Sequence, residues 1–349
     1  MSDRLTRGEE GGAARLLASA RARVAAATAD IRLPARFRLN EGQRTAIAAL
    51  LANLVRTIED DLRAAVAADP GVQDNVPLHA ALTSAHVAIA GPMLERSAGF
   101  PSLALVAVLL RRAEEHRLHK AAAGDKDLLL ELIADDEGSV AADAMAVLIA
   151  RSARLDPFQE PRLGRTELSA EMQHALVWTI AAALRRYMIV YHDLPAESAD
   201  TALAKAAGHL LTGYDEGASL DALCLRLALG LQADGRLDDA LLARTLDEAG
   251  LPLFLAFLVV RTGIGMPSVW EILSDSDGNG PVLLLCAAGV ARDVAGAILL
   301  RLQRGGDDVA ASQLDLFDTI GAAEAANLLR LWQADPAYRS AIMLLDQAA

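Results

Sequence analysis

Between Arg44 and Val66 the apolar residues Ile47, Leu50, Leu51, Leu54, Ile58, Leu62 and Val66 recur at spacings of three and four. That period lays them along one stripe of a helix, because 3.6 residues complete a turn. Arg56, Glu59, Asp60 and Arg63 then occupy the other face, where solvent is expected. The geometry returns from Glu171 to Tyr191, with Met172, Leu176, Ile180, Leu184, Tyr187 and Tyr191 in register. Ser169 stands where an N-cap would accept the first free backbone N–H groups. Sustained apolar–polar alternation appears nowhere, and the chain is rich in Ala and Leu, the strongest helix formers. The pattern predicts an all-α protein with little or no sheet.

At 349 residues the chain exceeds what one hydrophobic core normally serves, so two or three packed units are expected. Asp69-Pro70-Gly71, followed by Pro77, ends the first helical region, because proline lacks an N–H and disfavours helix in the residue before it. A second break spans Asp156 to Arg165, with Pro157, Pro161 and Gly164. These breaks define an N-terminal helical region (1–72), HEAT-like helical repeats (73–165) and an acidic C-terminal helical bundle (166–349). Within the middle region, short helices starting near Ala85, Glu115 and Gly138 lead into alanine-rich positions, then into leucine-rich helices such as Leu103–Leu110 and Leu128–Ile133. Helix pairs of that size bury their apolar faces on neighbouring pairs.

Hydrophobic residues make up 53% of the chain and the mean hydropathy is +0.26. Ser97–Leu110 and Gly278–Ala291, two stretches without Asp, Glu, Lys or Arg, are well short of the roughly 20 apolar residues of a spanning helix. No membrane association is expected. Met1 to Glu10 carry Asp3, Arg4, Arg7, Glu9 and Glu10, which leaves no apolar core for a secretory signal and points to the cytoplasm. Cys224 and Cys286 sit among Leu and Ala and read as small buried hydrophobes, not as a disulfide framework. Residues 190–349 hold 22 acidic against 10 basic residues, a balance of −12 within a total of −13. That half repels phosphate, and Arg32, Arg36, Arg38 and Arg44 form the only dense basic run, so nucleic acid is not an expected partner.

Signatures of nucleotide, metalloprotease and nucleophile-elbow chemistry are absent, and no cofactor is implied. Asp275, Asp277 and Asn279 occupy positions one, three and five of a calcium loop, with Gly280 at the sharp sixth position. The twelfth position, Cys286, cannot supply the bidentate carboxylate, so an inter-helix turn with side-chain caps is preferred. His116 and His119, three apart beside Glu115, could share a helix face as metal ligands or acid–base groups, but need at least one ligand from elsewhere. Their polar neighbours Arg111, Arg112, Glu114, Arg117 and Lys120 make a solvated surface the preferred reading. Leu251–Val260 is apolar on every side and reads as core, with Phe254, Phe257 and Trp270 as candidate interaction residues should it be incompletely covered.

Residues Glu41–Thr45 to Arg63, Ile89–Ser97, Glu115–Leu118 and His174–Trp178 to Arg185 resemble, in that order, an uncharacterised bacterial family, domain of unknown function 2336. Leu253–Arg261, Thr262–Trp270 and Leu285–Val290 continue the resemblance over roughly residues 40–335. It implies a helical-repeat architecture and a bacterial cytosolic setting, and it brings no activity or functional residue. The expected function is a non-enzymatic scaffold or regulatory protein-interaction module, with a protein partner or a homodimer. The alternatives are a metabolite or metal-ion sensor, or an enzyme using His116 and His119 with nearby carboxylates.

Overall fold

Helix α1 (Glu41–Ala67) buries Leu50, Leu54, Val55, Ile58, Leu62 and Val66, the stripe set by the three–four spacing. In the computed structural model, which describes residues 38–347 apart from 98, 122–125, 135–137, 157–159, 214, 276–277 and 303–306, the protein is all-α. The described residues form 18 α-helices and no strand. Of the basic run, Arg32 and Arg36 lie outside the described residues, as does Met1–Glu10.

The prolines that break α1 also start the next two helices. Asp69 accepts from the Gly71 N–H to cap α2 (Pro70–Gln73), and Asn75 accepts from Leu78 to cap α3 (Val76–Thr83). Proline is tolerated in a first helical turn because its missing N–H would lack an intrahelical partner there anyway. The chain continues through α4 (Ala90–Leu94), α5 (Leu103–Ala121), α6 (Leu128–Ile133) and α7 (Gly138–Ser152). Next come α8 (Ala170–His192), capped by Ser169 on the Met172 N–H at 3.3 Å, and α9 (Ala196–Thr212). Beyond them lie α10 (Leu220–Ala233), α11 (Asp239–Arg244), a π-turn at Thr245–Ala249 and α12 (Leu251–Thr262). The last elements are α13 (Met266–Leu273), α14 (Asn279–Ala287), α15 (Arg292–Leu302), α16 (Asp307–Thr319), α17 (Ala322–Leu328) and α18 (Pro336–Gln347). No single described helix is long and apolar enough to cross a membrane.

Residues 42–349 make one compact unit, yet the buried apolar side chains fall into two clusters. The first gathers α1, α3, α4, α8 and α9 with Leu105, Leu109 and Ala113 from the front of α5. The second gathers α6, α7, α10, α12 to α15 and α17 with Leu118 from the rear of α5. Helix α8 thus buries its face with α1, far behind it in sequence, while α6 and α7 join the C-terminal helices. Residues Leu253 to Leu258 are fully buried at the centre of the second cluster. Phe254 and Phe257, at 0% exposure, are therefore core and present no surface to a partner, while Trp270 is half-buried against the same cluster.

Two polar residues of α1 depart from the periodicity. Glu59 and Arg63, expected in solvent, are 3% and 4% exposed. The Arg63 guanidinium donates to the carbonyls of Ala81, Leu82, Ser84 and Val87 at 2.5–2.9 Å, and Glu59 accepts from the N–H groups of Ile89 and Ala90. Together they satisfy the backbone of the irregular stretch between α3 and α4, which no helix could satisfy internally.

A buried charge network as the candidate functional site

The middle of α5 carries Arg111, Arg112, Glu114, Glu115, His116 and Arg117, enough polar side chains to girdle a helix. A solvated surface was the expectation, and the structure corrects it: Arg112, Glu114, Glu115 and His116 are all 8% exposed or less. Glu115 is the centre. Its Oε1 accepts from Arg111 at 3.0 Å, and its Oε2 accepts from Arg112 at 3.1 Å and from Arg154 at 2.6 Å. Arg111 forms a bidentate pair with Asp221 at the start of α10, both bonds 2.7 Å. Arg112 also donates to the carbonyls of Arg154 and Arg162, and the Arg154 charge meets Glu167 at 2.5 Å without hydrogen-bond alignment. Glu114 takes a separate partner, Arg117, at 2.7 Å.

Three guanidinium groups, Arg111, Arg112 and Arg154, thus balance three carboxylates, Glu115, Glu167 and Asp221. Buried charge is tolerable only when paired and hydrogen-bonded in this way. Burial alone would lower the Arg111 guanidinium, but Asp221 and Glu115 raise it above its ordinary value. Burial would raise Asp221, and Arg111 brings it below the usual carboxylate range. Burial does prevail at Glu167, which is raised in spite of Arg154 and Arg112, and at Arg112, which is lowered in spite of Glu115. The network therefore holds charge firmly at the Arg111–Asp221 end and least firmly at Glu167.

The two histidines meet different surroundings. His119 is exposed, whereas His116 is 8% exposed with no hydrogen-bond partner at either ring nitrogen among the described residues. Glu115, which could have oriented either ring, has both oxygens occupied by arginine. Burial, then Lys120 and Arg112, lower the affinity of His116 for a proton; at His119, an exposed residue, partial desolvation of the ring and then Arg151 act in the same direction. A histidine lowered in the folded state stays neutral while the unfolded chain takes up a proton below its ordinary pKa of about 6.5. Stability is consequently lost as pH falls from about 6.5 toward the folded value. His116→Leu is expected to shrink the drop in urea midpoint between pH 7.5 and pH 5.5; an unchanged drop would show that His116 contributes none of it.

Of the calcium-loop candidates, Asp275 and Asn279 stand at the N-terminus of α14. Asp275 Oδ2 accepts from the backbone N–H groups of Asn279 and Gly280 at 3.2 and 3.1 Å, which caps α14, and Gln313 donates to the Gly278 carbonyl at 2.8 Å. Asp277 lies outside the described residues. Among the described residues, no three or more His, Cys, Asp or Glu side chains are grouped to hold a metal ion.

Residues 89–330 match the model of a family described as uncharacterised protein conserved in bacteria, domain of unknown function 2336. The chain belongs to this family. No curated protein and no solved structure matches it. All six charges of the network lie within the span that defines membership in domain of unknown function 2336, as do His116 and His119. Arg154, Glu167 and Asp221 escaped the sequence reading because they stand 39, 52 and 106 positions from Glu115 (154 − 115, 167 − 115 and 221 − 115). The one local signal was the girdle itself, since a helix polar all round needs partners or bulk solvent.

Proposed function

We propose that this member of domain of unknown function 2336 is a non-enzymatic helical scaffold or regulatory module of the bacterial cytoplasm, in which HEAT-like helix pairs present a face to another protein. The observation that supports this reading is the outer side of α7. Ala142, Met145 and Ile149 recur there at helical spacing, with Met145 and Ile149 42% and 64% exposed and no charged residue in the stripe. The two charges of α7 are used elsewhere, Asp143 on Arg226 and Arg151 on Asp127. Leu130 of α6 and Leu229 of α10, on the helices packed against α7, are also more than half exposed or close to it, at 56% and 50%. Large exposed apolar side chains in such number favour a surface that meets protein rather than water. The acidic C-terminal half disfavours nucleic acid as the partner.

The double variant Met145→Glu/Ile149→Glu tests this. Both positions are outside the core, so the melting temperature should hold, while cross-linked partners recovered from the native cytosol, or a homodimer seen by light scattering, should be lost. A wild-type protein that is monomeric and captures nothing, or a variant that captures the same partners, would overturn the reading.

A further inference from the structure

We infer that the charge network is a hinge, the place at which the two hydrophobic cores open against each other in the native protein. The buried apolar residues change cluster three times along the chain: between Ala113 and Leu118, between Val147 and Leu163, and between Ala207 and Leu220. Each crossing supplies charges to the network. Arg111, Arg112 and Glu115 stand at the first, Arg154 at the second with Glu167 just beyond it, and Asp221 at the third. The two cores are thus joined, at every passage of the chain between them, through ion pairs.

This arrangement has an energetic consequence. Opening a hydrophobic core exposes apolar surface to water with no new favourable contact in return. Opening a paired charge cluster loses the pairing but restores hydration to each ion, and the two nearly offset. Polar joins between packed units accordingly admit relative motion. Helix α5 runs through the hinge, so its middle turn should open although it is flanked on both sides by well-buried residues, Leu109 and Leu118. Arg111–Asp221, the bidentate pair and, among the described residues of the network, the one that reaches the third crossing, is the tie that closes it.

Hydrogen exchange on the full chain, read by mass spectrometry, tests this. Amides of residues 111–118 should exchange at least roughly tenfold faster than those of α8 and α12, although all lie within long helices. In Asp221→Asn they should exchange about tenfold faster again, together with residues 160–168, while α8 and α12 keep their protection. If residues 111–118 exchange as slowly as α8 and α12 in the wild-type protein, or if the variant loosens both cores equally, the hinge is refuted. The wild-type ranking decides the question even if the variant fails to fold.

Discussion

Replacing Gly280 with alanine is expected to cost about 3 kcal/mol or more of stability, read as a lower urea midpoint at unchanged slope. A Cβ at this position would lie 2.0 Å from the Ile272 carbonyl oxygen and 2.9 Å from Asp275 Cβ. The first of these is backbone in the last turn of α13, so no rotamer change relieves it. Relief requires α14 to move away from α13, and α14 carries Val282, Leu284 and Leu285, all fully buried in the second core. The same shift would break the Asp275 cap on the Gly280 N–H. Gly213→Ala is the matched control, because a Cβ there meets nothing within 4 Å and the residue has no positive φ. Equal stability of the Gly280→Ala variant and wild type would mean that the α13–α14 approach is looser than these distances imply.

Arg63→Ala is expected to be of similar or greater severity, about 3–5 kcal/mol. Its guanidinium is the shared donor to four backbone carbonyls between Ala81 and Val87, and it also offsets the Glu59 charge, 3.5 Å away and equally buried. Truncation leaves four acceptors and one carboxylate without their cation, in a site that is buried at Glu59 and Leu82 and part-buried at the other carbonyls. Arg63→Lys should recover little, since a single ammonium cannot span carbonyls presented to a planar fork. A loss below about 1 kcal/mol in Arg63→Ala would show that water takes over these carbonyls without penalty.

The difference between Gly280 and Arg63 shows what a sequence can disclose. The apolar stripes of α1 and of α8 as far as Tyr187 were legible because burial of a helix face is a local periodic signal, although Tyr191, in the same register, is exposed; Ser169 was legible as a cap because its role depends on residues three positions away. The cap that Asp275 places on α14 was legible for the same reason: its hydrogen bonds span four and five residues. Glu59 and Arg63 fell on the polar side of a correct stripe, but the residues that bury them come 18 to 31 positions later. The α5 girdle was misleading in the same sense. A run of Arg, Glu and His on a helix describes a solvated surface unless countercharges arrive from distant segments, and here they arrive from residues 154, 167 and 221. Nor does spacing reveal that α8 joins α1 while α7 joins α10, because both helices have an apolar face and either core could receive it.

If the α5 charges form one coupled network, in place of an acid–base site, their contributions to stability cannot be independent. A double-mutant cycle on Glu115→Ala and Arg154→Met, read by urea unfolding, measures that coupling. Each single change should be strongly destabilising, and the double variant should be more stable than their sum by about 1–3 kcal/mol, because removing both members restores the charge balance. Additive losses, agreeing within about 0.5 kcal/mol, would refute the coupling and reduce the network to independent contacts.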